Sequence, residues 1–386
     1  MRRRPLKVIV ATRLFAPEVG AAAFRLKALA DGLVHEGAQV QVVTTKAPAG
    51  SGDFQSPYRL SRWPVLRDAG GNVRGYVQYL SFDIPAFFRL LVSSADLVVS
   101  EPPPTTGLVV ALSSWLRRRP FVYYAADIWS EALTAMEVPA FVTRVLRGLE
   151  GFVLRRAAQV IAVSEPVAEQ VAKFGVPAQR VVVVGNGVDT SVFNPDGPAA
   201  PANSHFFVYT GTMSEWQGAE VFIKALPKVL ATFPDVEIYF YGQGTDMPHL
   251  KKIAAEVAPG SVHFGGVIPP REVAERLRGA TASLVSIRPD QGYDFAKPTK
   301  IYAAAGCGTP VVFAGQGDGA AVVRDNGLGV TANYDPDAVA AAMLEVLAGD
   351  SEGRRARSDW VAENASLQAS GRIAAANVVS LIKDPA

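Results

Sequence analysis

The stretch KPTKIYAAAG combines two lysines with the start of an alanine-rich helix. Pro298 suits a first helical turn, where the backbone N–H groups of Thr299 and Lys300 have no intrahelical partner. Such a helix start binds anions through these N–H groups and the helix dipole. Lys297, Lys300 and the nearby Arg288 could donate further hydrogen bonds to a phosphate. The pattern favours a diphosphate site, and an ordinary helix start with solvated lysines is the alternative.

Three loops that follow apolar runs could approach such a ligand. In VYTGTMSEWQGAEV, Gly211 ends a predicted strand and Gly218 precedes a helix, so the backbone there could lie close to a ligand or simply turn. Gly20 in FAPEVGAAAF could bring its loop close to a substrate or simply start a helix. In YAADIWSEAL, Asp127 could position or deprotonate a hydroxyl group. Capping of the helix that follows is the alternative role for Asp127.

The sequence favours neither a metal site nor a bound cofactor. Asp335 and Asp337 form an Asp-x-Asp, but they precede an amphipathic helix, where a capping role is favoured. The four histidines are scattered without ligand spacing, and the one cysteine, Cys307, excludes a disulfide within the chain. We therefore expect no metal, no cofactor and a reducing, cytoplasmic location.

Short β-branched runs alternate with amphipathic helices along the chain, which predicts parallel sheets covered by helices on both faces. At 386 residues, two such domains are expected. The segment NPDGPAAPANSH, residues 194–205, interrupts the alternation and predicts a linker. The predicted parts are α/β, doubly wound domains at residues 1–193 and 206–365, and a C-terminal helix at 366–386 that could pack back on the first domain.

The two halves differ in charge although the net charge is only +2. Residues 1–193 carry 22 Lys and Arg against 15 Asp and Glu, or +7, and residues 194–386 carry 16 against 21, or −5. The basic half predicts an anionic partner, either a membrane surface or a substrate, with a bias of the solvated surface as the alternative. The arginine runs 117–119 and 155–156 lack the interleaved aromatic residues of a single-strand nucleic-acid surface, so no nucleic-acid partner is expected.

The chain resembles the family 4 retaining glycosyltransferases over nearly its whole length. The resemblance rests on the order of the segments FAPEVGA, SEPPPTTGL, YYAADIWSEAL, VVVVGNGVDTSVFNP, YTGTMSEWQGAEVFIKAL, YGQGTDMPHLKKIA and KPTKIYAAAGCGTPVV. The DIWSE and PTKIY forms are similar to the branch that builds lipopolysaccharide, capsule or exopolysaccharide units. The resemblance implies the B-type fold, in which two Rossmann-like domains face across a cleft. It also implies a nucleotide-sugar donor on the second domain and a glycan or lipid-linked acceptor on the first.

The chain departs from the family pattern at the donor site. Family members commonly hold the donor diphosphate with an Arg and a Lys on the glycine loop, and Thr212 and Gln217 occupy those places here. Members also commonly carry two glutamates with seven residues between them. The second, which binds the nucleotide ribose, corresponds to Ala303, and the first falls near Phe295, beside Asp294.

We hypothesise that nearby basic residues replace the missing positive charge. They would stabilise the leaving diphosphate electrostatically while the acceptor hydroxyl attacks C1 on the same face, with retention. The resulting candidate site has Asp127 and Lys300 as catalytic residues, Gly211, Thr212, Gln217, Arg288, Asp294, Lys297 and Thr299 on the donor side, and Glu18 and Gly20 on the acceptor side.

Two other functions stay open from the sequence. The altered residues Thr212, Gln217 and Ala303 favour a non-catalytic scaffold or sugar-nucleotide-binding subunit that keeps the fold. A nucleotide-sugar epimerase shares the two-domain architecture, but the scattered histidines and carboxylates form no acid–base constellation.

Overall fold

The computed structural model divides the chain into two compact units, residues 1–186 with 367–386, and residues 187–366. The division falls before the predicted linker at 194–205. Within that segment the Pro198 carbonyl accepts a hydrogen bond from Arg278 Nε of the second unit at 2.7 Å. The structure describes residues 4–18, 20–48, 54–68, 73, 75–130, 140–201, 204–291, 293–349 and 352–383.

The first unit contains a seven-stranded sheet in the order β3-β2-β1-β4-β5-β6-β7, with every pair parallel. The central strands β4, β5 and β6 are buried along their whole length, as expected for a sheet with helices on both faces. The strands are β1 (Lys7–Ala11), β2 (Gln39–Thr45), β3 (Arg59–Trp63), β4 (Leu97–Ser100), β5 (Phe121–Ala125), β6 (Gln159–Ala162) and β7 (Val181–Val183).

Alternating side chains of these strands feed two separate cores. Val8 and Val10 pack with one helix layer, and Ile9 packs with the other, as the two-residue period of a strand requires. The first layer is α1 (Ala21–His35) and the C-terminal α13 (Leu367–Lys383); the second layer is α2 (Tyr76–Leu91), α3 (Pro104–Leu116) and α4 (Ala140–Arg156), and α5 (Glu165–Ala172) precedes β7.

The C-terminal helix α13 belongs to the first unit because it packs tightly along α1. The two helices cross at Gly32 and Gly371, where a Cβ on Gly371 would overlap the Ala28 carbonyl. Ala374, Ala375 and Val378 join the core beneath α1.

The second unit contains a six-stranded parallel sheet in the order β10-β9-β8-β11-β12-β13. The strands are β8 (Phe206–Thr212), β9 (Glu237–Gln243), β10 (Val262–Gly266), β11 (Ala282–Ser286), β12 (Val311–Ala314) and β13 (Gly329–Ala332). The helices are α6 (Glu220–Leu230), α7 (Met247–Val257), α8 (Pro270–Gly279), α9 (Thr299–Gly306), α10 (Asp318–Asp325), α11 (Pro336–Ala348) and α12 (Arg354–Asn364).

Each sheet reverses its strand order once, between β1 and β4 in the first unit and between β8 and β11 in the second. In open parallel sheets, ligands bind outside the carboxyl ends of the strands at such switch points. The two switch points therefore locate the candidate sites.

Candidate functional site

Lys300 lies at the switch point of the second sheet with no ion-pair partner among the described residues. Its ammonium is 3.4 Å from the Thr212 carbonyl oxygen and 3.7 Å from the centroid of the Tyr209 ring. Its end also lies beside the Cα of Gly211, since a Cβ built there would be 3.9 Å from Nζ. Burial lowers the pKa of Lys300 to about 7. An anion bound here would supply the missing countercharge.

The other two predicted phosphate-binding cations already have carboxylate partners. Lys297 Nζ is 3.4 Å from Asp318 Oδ2. Arg288 NH2 is 3.0 Å from Glu220 Oε1, and His249 lies on the other oxygen of Glu220 at 2.7 Å. Although burial raises the pKa of Glu220, His249, Lys224 and Arg288 together lower it on balance, so the carboxylate stays charged beside Arg288. Lys300 thus differs from the other two cations, which are already paired with carboxylates.

Gln217 lies inside the glycine loop, between Gly211 and Gly218. The sequence predicts that it contacts the donor. Its side chain is buried, and Oε1 accepts hydrogen bonds from the Ser214 N–H at 3.1 Å and from the Thr212 hydroxyl at 3.3 Å. Gly211 has φ of +99°, a backbone conformation that favours glycine. Gln217 therefore fixes the shape of the loop, and Thr212 offers Lys300 its backbone oxygen.

The start of α9 leaves backbone donors free, as the sequence predicts. Pro298 precedes the helix, and the first helical N–H bond is Ile301 to the Pro298 carbonyl, so the N–H groups of Thr299 and Lys300 have no helical acceptor. Asp294 is exposed, and its carbonyl accepts the Asp318 N–H at the start of α10. Ala303 packs in the core of the second unit.

An aromatic pair flanks this loop and escaped the sequence analysis. Trp216 and Tyr293 stack with ring centroids 4.4 Å apart and planes at 24°. The backbone N–H of Arg288 donates to the Trp216 carbonyl at 2.9 Å, and this hydrogen bond links the two loops. Tyr293 is 40% exposed and offers a flat apolar surface that could stack on a base or sugar. The aromatic spacing in sequence gives no sign of this contact, because the residues come from different βα loops.

Asp127 is exposed and lies two residues beyond the carboxyl end of β5 in the first unit, and it does not accept the N–H groups of the residues that follow it. The backbone N–H groups of Trp129 and Ser130 donate instead to the two carboxylate oxygens of Glu150, each at 2.9 Å. Glu150 reaches them from α4 and is fully buried. The described contacts therefore leave the carboxylate of Asp127 at the strand end without a hydrogen-bond partner.

Glu18 and Gly20, predicted on the acceptor side, lie in the loop after β1. The Glu18 carboxylate accepts from both terminal nitrogens of Arg67, at 2.8 and 3.3 Å, and is nearly buried. Gly20 immediately precedes α1, and a Cβ there would be 2.9 Å from Leu14. The ion pair shapes this loop, and Gly20 permits its close packing.

A buried carboxylate, Glu101, lies at the switch point of the first sheet and was also missed. It accepts from the Thr12 hydroxyl at 2.5 Å and from Arg25 at 3.2 Å. Burial raises the pKa of Glu101, and Arg25 and Thr12 oppose that rise. The network ties the ends of β1 and β4 to α1.

Within the described ranges, no group of three or more His, Cys, Asp or Glu side chains could hold a metal ion. Asp335 has the capping role that the sequence favours, since its side chain accepts from the N–H groups of Asp337 and Ala338 at the start of α11. A helix long and apolar enough to cross a membrane is likewise not found in that part of the chain.

Two family models match the two units in turn. Residues 20–187 match the glycosyl transferase 4-like domain, and residues 204–349 match glycosyl transferases group 1. The chain belongs to the family 4 glycosyltransferases. Its departures at Thr212, Gln217 and Ala303 are therefore variations within this family.

The names of similar proteins are consistent with this family. An Acidothermus cellulolyticus protein named D-inositol 3-phosphate glycosyltransferase is 26% identical over 58% of this chain and 52% of its own length. A phosphatidyl-myo-inositol mannosyltransferase from Mycolicibacterium smegmatis is 32% identical over 44% of this chain and 43% of its own. The chain thus spans about half the length of the curated relatives it matches. An Anabaena protein solved in complex with UDP-glucose has the same fold, with a TM-score of 0.58 and 18% identity over 97% of this chain and all of its own.

Proposed function

We propose that this glycosyltransferase moves a sugar from a nucleotide-diphosphate sugar to a glycan or lipid-linked acceptor, with retention at C1. One observation carries the proposal: the ammonium of Lys300 lies without an ion-pair partner in the described chain, at the switch point of the second sheet. The names of the relatives and the UDP-glucose in the Anabaena protein support a nucleotide-sugar donor.

The reaction follows from the charge that develops on the leaving group. As the C1–oxygen bond breaks, its electron pair passes to the departing diphosphate. The Lys300 ammonium and the free Thr299 N–H stabilise that negative charge. The acceptor oxygen bonds to C1 from the same face, and its proton passes to the departing phosphate oxygen. Asp127, exposed at the end of β5, orients the acceptor hydroxyl.

The proposed location is the cytoplasmic face of a membrane, where a lipid-linked acceptor would be held. The basic first half of the chain supports attraction to anionic lipid. The reaction as written needs neither a metal ion nor a cofactor, because Lys300 supplies positive charge at the leaving group.

A thermal-shift screen against UDP, GDP, dTDP, CMP and their sugar conjugates tests the donor assignment, since a ligand of the folded state raises its stability. We expect a shift with one nucleotide, and we expect Lys300→Ala to reduce it at the same nucleotide concentration. Lys297→Ala is the matched control, because that lysine lies in the same segment but pairs with Asp318. If no nucleotide shifts the transition, or if both variants respond like the parent, the donor site is not the one described.

The scaffold and epimerase alternatives are not favoured by the family models or by the relatives' names. They differ from transfer in their products. A scaffold would bind the donor without turnover, and an epimerase would release an altered nucleotide sugar without consuming an acceptor.

A further inference from the structure

Large apolar side chains line the outer side of α2. Val77, Leu80, Ile84 and Phe88 recur every three or four residues and are 63%, 50%, 55% and 62% exposed. This spacing puts them on one face of the helix. The opposite face of α2 packs into the core through Leu90. The helix is therefore fixed to the sheet with an apolar stripe directed away from it.

The neighbouring helices α3 and α4 extend the exposed apolar area. Trp115 is 69% exposed, and the same layer exposes Leu112, Leu116, Phe141 and Val145. We call these residues, together with the α2 stripe, the outer face. A soluble surface seldom exposes so many large apolar side chains together, and such a patch marks an interaction site.

In the segments of α2, α3 and α4 that the structure describes, every exposed charge is positive. In residues 76–91, 104–119 and 140–156 the only carboxylates are Asp83 and Glu150, and both are buried. The exposed charged residues of these segments, which we include in the outer face, are Arg117, Arg118, Arg144, Arg147, Arg155 and Arg156.

A groove opens at the C-terminal ends of α3 and α4, within the outer face. Its volume is about 830 Å³. Leu116, Trp115 and Phe152 contribute its apolar lining, and Arg118 and Arg156 contribute guanidinium groups. Apolar walls beside fixed positive charge match an amphipathic molecule with an anionic head.

We propose that the outer face docks on an anionic lipid bilayer, with its apolar side chains at the acyl boundary and its arginines among the headgroups. Trp, Phe and Leu with surrounding Arg is the composition of interfacial membrane-binding helices. A second copy of this chain fits less well, because pairing the face with itself would place arginines against arginines. The inference rests on the proposed lipid-linked acceptor, since docking brings the enzyme to such a substrate.

Vesicle co-sedimentation tests the proposal. We expect binding to vesicles of phosphatidylcholine mixed with phosphatidylglycerol, weaker binding to phosphatidylcholine alone, and release by salt. The double variant Arg144→Gln with Arg156→Gln should need about 25-fold more lipid for half-binding, because each arginine near such a surface raises the affinity about fivefold. Leu80→Ser combined with Phe88→Ser should also weaken binding.

Ile373→Ser is the matched control for the apolar variants. Ile373 is 48% exposed but lies on α13, in the helix layer on the other face of the same sheet. It should leave vesicle binding within about twofold of the parent, as expected for an exposed residue away from the interface.

Absence of vesicle binding by the parent, or unchanged binding by both outer-face variants, would overturn the proposal. Self-association detected by light scattering and lost in the outer-face variants, without vesicle binding, would assign the face to a second copy instead. Nucleotide binding by thermal shift separates this test from the proposed function, because the outer-face variants should keep it unchanged.

Discussion

Lys300 should set both the affinity for a nucleoside diphosphate and its pH dependence. A hydrogen bond to a charged group contributes about 1.5–3 kcal/mol. With about 1.4 kcal/mol per tenfold change, Lys300→Ala should weaken binding by about 10- to 150-fold. Lys297→Ala should change it far less, because Lys297 is exposed and already paired with Asp318.

The sign of the pH effect follows from the pKa of Lys300, which burial lowers to about 7. A bound diphosphate favours the charged ammonium and raises that pKa, so binding above pH 7 takes up a proton. Affinity should therefore fall as pH rises above 7, by at most about tenfold per pH unit for this one group. Below pH 7 the ammonium is already charged in the free protein, and this contribution levels off.

Isothermal titration calorimetry with the nucleotide found in the thermal-shift screen measures both effects. Titrations between pH 6 and 9, in buffers with different ionisation enthalpies, report affinity and proton uptake together. The parent and Lys297→Ala should take up protons, and Lys300→Ala should not. Equal affinity and equal proton uptake in the parent and Lys300→Ala would refute the assignment of Lys300 to the diphosphate.

Three further predictions concern stability and turnover. Lys300→Met should stabilise the unliganded protein at pH 7 by about 1 kcal/mol or more, because the lowered pKa of Lys300 makes the folded parent lose stability as pH falls. The gain in stability should vanish above the ordinary lysine pKa of 10.5, and thermal melts over a range of pH measure it. Asp127→Asn should reduce transfer without changing nucleotide affinity in calorimetry, since its carboxylate is placed on the acceptor side. Glu101→Ala should cost about 3–5 kcal/mol in urea unfolding because it leaves Arg25 buried and unpaired, and a loss below about 1 kcal/mol would contradict the buried ion pair.

The fold could be predicted because its signals are local and repeated. Runs such as β4 and β5, buried from end to end, alternate with amphipathic helices, and this pattern favours parallel sheets regardless of detail. The placement of the C-terminal helix on α1 depends on the contact of Gly32 with Gly371, which are far apart in sequence. Composition predicts a linker at residues 194–205 but does not reveal that Pro198 contacts Arg278 of the second unit. The described contacts place the division between the units before this segment.

The site could be predicted only in part, because its side chains meet across loops. The helix start at Thr299 is readable from Pro298 and the lysines around it. The sequence alone cannot show that Arg288 is paired with a carboxylate, which sets it apart from Lys300. The partner of Arg288, Glu220, comes from a different βα unit.

Capping assignments show the same limit. Asp335 caps the helix it precedes, which the local pattern predicts. Asp127 is the local candidate to accept the N–H groups of Trp129 and Ser130, yet these donate to Glu150, 20 residues or more along the chain. A local motif therefore cannot exclude a distant competitor for the same N–H groups.

The most direct test of sugar transfer is a turnover assay with a panel of nucleotide-diphosphate sugars and a membrane lipid extract as acceptor, following free nucleoside diphosphate and the labelled sugar together. We expect equal release of nucleoside diphosphate and transfer of sugar to an extractable acceptor, both strongly reduced in Lys300→Ala. Tight donor binding without release, or an epimerised nucleotide sugar with no acceptor product, would contradict sugar transfer.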